Sequence, residues 1–234
     1  MKKEGRFEDL GQKDYKECWD YQEKIFQDLL HNKLLNRELP EAEHRKKVNT
    51  LLFVEHPHVF TLGKSGSDGN LLVNHIQLKA KDASFYHIDR GGDITYHGPG
   101  QIVAYPIFDL EDFGLTLKGY IHKLEDAIIL TLKEYGIEGS RLEGATGVWL
   151  DPEIAGRARK ICAIGVKASR FVTMHGLAFN VNTDLEYFKL INPCGFTDKK
   201  ITSLEAESGE KQNYNKVKGL VKRKLEEVFD IELK

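Results

Sequence analysis

The chain has 234 residues, 41% of them hydrophobic, which is enough apolar side chain for one large domain with its own core. Its 34 basic and 36 acidic residues leave a net charge of −2, without the basic excess by which nucleic-acid binders neutralise phosphate. The three cysteines, Cys18, Cys162 and Cys194, form no CxxC or Cys/His ligand pattern, so neither a disulfide framework nor a metal site is expected.

The N-terminal stretch MKKEGRFEDLGQKDYKE lacks the apolar core of a signal peptide and is too acidic for a transit peptide. No segment approaches the roughly 20 apolar residues of a membrane helix. A soluble, cytoplasmic protein is the expectation. From Tyr15 to Leu35 apolar residues recur at helical spacing (Tyr15, Cys18, Trp19, Ile25, Phe26, Leu29, Leu30), and residues 1–45 read as a helical region of the least distinctive sequence. VNTLLFVEH (48–56) follows as a buried strand and VFTL (59–62) as a short one, punctuated by His56-Pro57 and by glycines from Gly63 to Gly69.

Strand signals continue at FYHI (85–88), ITYH (94–97) and IVAYPIF (102–108). Tyr120, Ile121, Leu124, Ala127, Ile128, Thr131 and Tyr135 mark a second amphipathic helix. GVWL (147–150), KICAIGVKA (160–168), RFVTM (170–174) and GLAFNV (176–181) are joined by links too short for helical crossovers, so they are predicted to be antiparallel neighbours. A last helix is spaced by Tyr214, Val217, Val221, Leu225 and Val228. The mixture predicts one α+β domain over residues 1–234, with helices packed on a largely antiparallel sheet.

Two segments have the residue types for chemistry. RGGDITYHGPGQ (90–101) combines glycines with Arg90, His97 and Gln101; its backbone could approach a ligand closely and offer N–H groups to an oxygen. It matches neither the GxxxxGK[ST] phosphate loop nor the GxGxxG dinucleotide fingerprint, and a glycine-rich hairpin is the plainer account. INPCGF (191–196) sets Cys194 in a turn between Pro193 and Gly195, whereas Cys18 and Cys162 lie inside apolar runs, as buried thiols do. A thiol of ordinary pKa is only about 3% ionised at neutral pH, so a nucleophilic Cys194 needs a neighbour that stabilises its thiolate. His97, His175, Lys160 and Lys167 are all candidates, and spacing does not choose among them.

An ordered series of segments then resembles one family, the octanoyltransferases of lipoate biosynthesis, also called lipoyl(octanoyl) transferases or lipoate–protein ligase B. The series is EHPHVFTLGKSG (55–66), RGGDITYHGPGQIVAYPI (90–107), KICAIGVK (160–167), HGLAFNVN (175–182) and INPCG (191–195). The resemblance implies the biotin/lipoate protein ligase-like fold and a cofactor-independent acyltransferase, the first step of endogenous protein lipoylation. Octanoyl-acyl carrier protein would be the donor. Lipoyl domains of 2-oxo-acid dehydrogenase complexes and the glycine cleavage H protein would be the acceptors. It also implies that Cys194 carries the acyl group as a thioester and that Lys160 lowers the thiol pKa and moves protons. The acyl chain and its carbonyl would be enclosed by Arg90, Gly91, Gly92, Asp93, Ile94, Thr95, Tyr96 and His97, by Ala163, Ile164 and Gly165, and by Gly176, Leu177 and Ala178.

Two rivals remain at this level: an ATP-dependent lipoate or biotin ligase on the same fold, and a non-catalytic relative that binds lipoyl domains. Cys162 departs from the family, where a small residue is commoner; strand alternation predicts that it shares a face with Lys160. Arg157, Arg159, Lys160, Lys167 and Arg170 are expected to form a basic rim that steers an acidic donor.

Overall fold

A computed structural model describes residues 2–192 and 199–234; Cys194 and its neighbours 193–198 lie outside the described residues. The chain opens with β1 (Lys3–Gln12) and α1 (Tyr15–Leu35), then runs through β2 (Thr50–Glu55) and β3 (Val59–Leu62). A short α2 (His75–Lys79) leads into β4 (Ser84–His87), β5 (Ile94–His97) and β6 (Gln101–Ile107). After α3 (Leu117–Lys133) come β7 (Ser140–Leu142), β8 (Ala145–Leu150), β9 (Arg159–Ser169) and β10 (Val172–Asn180). β11 (Lys200–Ile201), α4 (Leu204–Ser208), α5 (Tyr214–Phe229) and β12 (Ile231–Leu233) complete it.

The helices start where a short polar side chain can satisfy the first free N–H groups. Asp14 accepts from the amides of Lys16 and Glu17 ahead of α1, Thr116 from that of Gly119 ahead of α3, and Asn213 from that of Lys216 ahead of α5. The first twelve residues differ from the helical expectation. The only apolar side chains of β1 are Phe7 and Leu10, yet it pairs in parallel with β2 and with the distant β12. Partners more than 40 and 220 residues away override a weak local preference.

Among the described residues, one sheet runs in the order β12-β1-β2-β6-β10-β9-β8-β7, with β11 paired to β9. The block from β2 to β7 is antiparallel, and parallel pairs occur at β1 and β11. Period-two alternation divides its central strands between two layers. Leu51, Phe53, Ile102, Ala104, Leu177 and Phe179 pack under α3 and α5. Leu52, Val54, Val103, Tyr105, Met174 and Ala178 pack with Cys18, Phe26 and Leu29 of α1. A second sheet, β4-β3-β5, buries Phe60, Leu62, Ile94 and Tyr96 against Leu78 and Ile191.

Two irregularities shape the site. Trp149 of β8 faces Lys160 while Val148 faces Cys162, so Ile161 is one extra residue in β9. The resulting bulge corrects the expectation that Lys160 and Cys162 share a face: Cys162 is wholly buried in the cluster under the helices. The second is His175, read from sequence as the gap between two strands. β10 is continuous through it, and His175 sits in the left-handed region (φ 62°) while still paired with Val166.

Candidate functional site

A cavity of about 890 Å³ opens over β9 and β10, within the size range of small-ligand sites. Its floor is a run of small side chains. Val103, Ala178 and Ala163 form one row across three strands, and Gly176 pairs with Gly165 two residues further along. Turn 90–93 covers this floor: the Gly91 amide donates to the Val166 carbonyl at 2.9 Å, and Lys64 and Ser65 amides donate to the carbonyls of Arg90 and Gly92. Gly165 permits the close approach, because a Cβ there would lie 2.9 Å from the Gly91 carbonyl oxygen.

The turn is held by its own charged residues. Arg90 donates through Nη2 to the carbonyl and hydroxyl of Thr61 at 2.7 and 3.0 Å. Asp93 accepts from the Asn70 side chain at 2.7 Å and from the Ile94 amide at 2.6 Å. Both side chains are mostly committed to the fold, so the segment presents backbone and shape more than free charge.

Of the residues singled out from sequence, Arg90 to Thr95, His97, Lys160, Ala163 to Gly165 and Gly176 to Ala178 line the cavity together. Tyr96 does not. Alternation along β5 turns it into the small sheet's core, where its hydroxyl meets His58 Nδ1 at 2.6 Å and its ring stacks on Tyr187. Residues that sequence reasoning did not single out also line it: Tyr15 of α1, Leu117 and Ile121 of α3, Trp149, Asn180, and Lys189, Lys199 and Lys200. Tyr15 looked like an ordinary member of a helix stripe. Ile121 read only as one apolar position of the second helix, and Leu117, four residues before it, was not among them.

One end of the cavity is aromatic, and its histidines are uncharged. His97 stacks on Tyr15, its ring Nδ1 donates to Gln101 Oε1 at 2.8 Å, and burial pushes its pKa down to about 3. Behind it, His56 donates from Nδ1 to the Lys13 carbonyl and accepts at Nε2 from the Tyr105 hydroxyl; burial lowers its pKa to about 4. His175 donates from Nε2 to Asp89 at 3.0 Å, and burial again outweighs the carboxylate and keeps it neutral. The other end carries Lys160, whose ammonium donates to the Thr146 carbonyl at 3.1 Å and lies over the Trp149 ring, 4.7 Å from its centre.

The basic rim has a different membership from the one expected. Arg159 pairs with Glu207 at 2.6 Å and Asp151 at 2.5 Å, and Lys167 pairs with Asp89 at 2.7 Å and Glu23 at 3.2 Å. Arg157 and Arg170 are exposed away from the cavity lining. Among the described residues the lysines that line the cavity are Lys160, Lys189, Lys199 and Lys200. Among the described residues no three His, Cys, Asp or Glu side chains converge to hold a metal ion, and no helix is long and apolar enough to cross a membrane.

Residues 14–226 match the family model of the lipoyl protein ligase A/B catalytic domain. An octanoyltransferase of Parabacteroides distasonis is 56% identical over 96% of this chain and 98% of its own length. One of Flavobacterium psychrophilum is 56% identical over 98% of each chain. Among solved structures, a lipoate-protein ligase A bound with ATP superposes with a TM-score of 0.69 at 14% identity, covering 99% of this chain and 87% of that one. A lipoate protein ligase from T. acidophilum with bound lipoic acid gives 0.68 at 14%, over 99% and 88%. These two likenesses establish the fold.

Proposed function

The chain belongs to the lipoyl protein ligase A/B catalytic-domain family and, within it, to the octanoyltransferases of lipoate biosynthesis; on that premise we propose that it takes octanoyl from an acyl carrier protein onto Cys194 and passes it to the target lysine of a lipoyl domain. The acceptors would be 2-oxo-acid dehydrogenase complexes and the glycine cleavage H protein. The whole chain would act as one catalytic domain in the cytoplasm.

The observation that carries this reading is the way the chain enters and leaves residues 193–198. Asn192 and Lys199, the described residues on either side, both line the cavity that Lys160 lines. Immediately afterwards β11 runs parallel to β9, with Ile201 opposite Lys160 and the Thr202 amide donating to the Lys160 carbonyl at 2.9 Å. This supports a Cys194–Lys160 dyad. The other candidate neighbours are less suited: Lys167 is held by two carboxylates, and His97 and His175 are kept uncharged by burial.

The chemistry closes on itself. The Cys194 thiolate adds to the donor thioester carbonyl, and the adduct expels the carrier's thiolate. Lys160 protonates that thiolate and becomes a neutral amine. The acceptor's neutral lysine amine then adds to the new thioester, Lys160 takes its proton, and Cys194 departs as thiolate. One thioester replaces another and an amide follows, so the cycle ends with thiolate and ammonium restored.

The floor suits an eight-carbon tail. The five residue steps of β9 from Lys160 to Gly165, one of them in the bulge, span about 13–16 Å. Seven C–C bonds of about 1.5 Å, staggered, reach roughly 9 Å. The tail would end near Ala163 and Ala178, short of the Gly165–Gly176 pair, with about 0.8 kcal/mol gained per buried methylene.

Intact mass after mixing with octanoyl-carrier protein, without ATP, tests the reading. A covalent octanoyl adduct should form and should vanish in Cys194→Ser. An adduct that persists in that variant, or appears only with ATP, overturns it.

A further inference from the structure

On the third turn of α3, one step beyond Leu117 and Ile121 at the same helical spacing, stands a carboxylate that the reaction as described does not use. Glu125 is 4% exposed. Its Oε2 accepts from Arg141 Nε at 2.7 Å, and its Oε1 accepts from the backbone amide of Gly147 at 3.1 Å. The carbonyl of that same peptide unit, on Thr146, is the one that accepts from Lys160 Nζ at 3.1 Å. A single amide thus lies between a buried carboxylate on its N–H side and the ammonium of Lys160 on its C=O side.

Hydrogen bonds in series polarise one another: an anion on the N–H makes the carbonyl oxygen a stronger acceptor, and that favours the charged form of the amine it binds. The backbone is shaped to permit the arrangement. Gly147 has φ +126°, and a Cβ there would lie 2.4 Å from the Cys162 carbonyl oxygen, so this peptide's orientation depends on glycine.

We propose that Glu125 is a positioning residue for acyl transfer, fixing the place and the proton affinity of Lys160 through the Thr146–Gly147 peptide. Arg141, bound also to Asp126 and to the His122 carbonyl, sets how much of the carboxylate's charge reaches that peptide. The inference rests on the role given to Lys160 above. Other charges face Lys160: Lys199 and Lys200 approach with β11, and Arg159, next along β9, is neutralised by Glu207 of α4 and by Asp151. Lys199 and Lys200 oppose the ammonium, and among the described residues Glu125 favours it through the shared peptide.

The readout is the pH dependence of Cys194 alkylation by iodoacetamide, with intact mass to confirm the site. Glu125→Gln keeps an acceptor for the Gly147 amide and removes the charge. It should move the profile to higher pH by about half a unit to one unit, a several-fold slower alkylation at neutral pH, as the lysine stabilises the thiolate less. Arg141→Gln, at a side chain 38% exposed and so tolerant of change, should move it the opposite way. In Lys160→Ala the Glu125→Gln change should add nothing. A Glu125→Gln protein of native stability with the wild-type profile overturns the proposal; should that variant not fold, an unmoved profile in Arg141→Gln does so. If Lys160→Ala itself leaves the profile in place, it is the role of Lys160 that fails, and the two failures are told apart.

Discussion

Acidification from pH 7 to pH 5 should destabilise the protein well before its carboxylates are protonated. His56 and His97 are buried and neutral, with pKa values pushed down to about 4 and about 3. An unfolded chain returns each imidazole to about 6.5. Above that value both states are neutral and the contribution is fully present. As pH falls toward the folded values, the unfolded state alone takes up protons, and stability is lost. At pH 5, about 1.5 units below the unfolded pKa, each histidine costs about 2 kcal/mol, so the pair removes roughly 3–4 kcal/mol relative to pH 7. His58 and His175, also lowered by burial, add with the same sign. Asp89 and Asp109 are held below the ordinary carboxylate range and remain ionised throughout this window. Urea midpoints at pH 7, 6 and 5 measure the loss, and imidazole NMR titrations assign it. Equal midpoints at pH 7 and 5, or a His97 ring that titrates near 6.5, would refute the reasoning.

Two further outcomes follow from packing and charge. Gly165→Ala places a methyl 2.9 Å from the Gly91 carbonyl oxygen, so turn 90–93 must withdraw by about 0.5 Å to regain contact distance; we expect about 1–3 kcal/mol lower stability by denaturant titration and at least about tenfold lower kcat/KM for octanoyl transfer, and wild-type values for both would remove the turn from the site. Asp109→Asn removes the buried charge shared by Lys33, 3% exposed and paired to it at 2.6 Å, and Lys47, leaving Lys33 only the half-exposed Glu111 at 3.0 Å, and should cost about 3 kcal/mol in chemical denaturation; Lys33→Met should cost less, because it removes the buried cation while Lys47 still meets Asp109 at 2.6 Å, and the reverse ranking would contradict this account.

Much of the architecture was written in local patterns. α1 from Tyr15, the strands VFTL and ITYH, and the antiparallel run from β8 to β10 follow from periodicity, capping and link length, which act over a few residues. β1 and β12 escaped because their partners lie at opposite ends of the chain. The cavity lining was legible where segments resembled the octanoyltransferase series. Tyr96 was included with its neighbours because a contiguous motif does not show which side chains alternate away. Leu117, Ile121 and Lys199 were passed over for the opposite reason: helix stripes and surface lysines look alike whether or not a cavity borders them. The basic rim was misjudged because acidic partners such as Glu207 and Glu23 are remote in sequence from the arginine and lysine they neutralise.

The extra residue at Ile161 resets the phase of β9 near its start. Before it, an ammonium is delivered to the cavity; after it, the adjoining thiol of Cys162 is consigned to the helical interior. In a regular strand of the same residues, period-two alternation would turn both side chains to one face. The choice of which group meets the cavity is therefore made by the bulge rather than by residue identity, and a strand aligned on motif letters alone would conceal it.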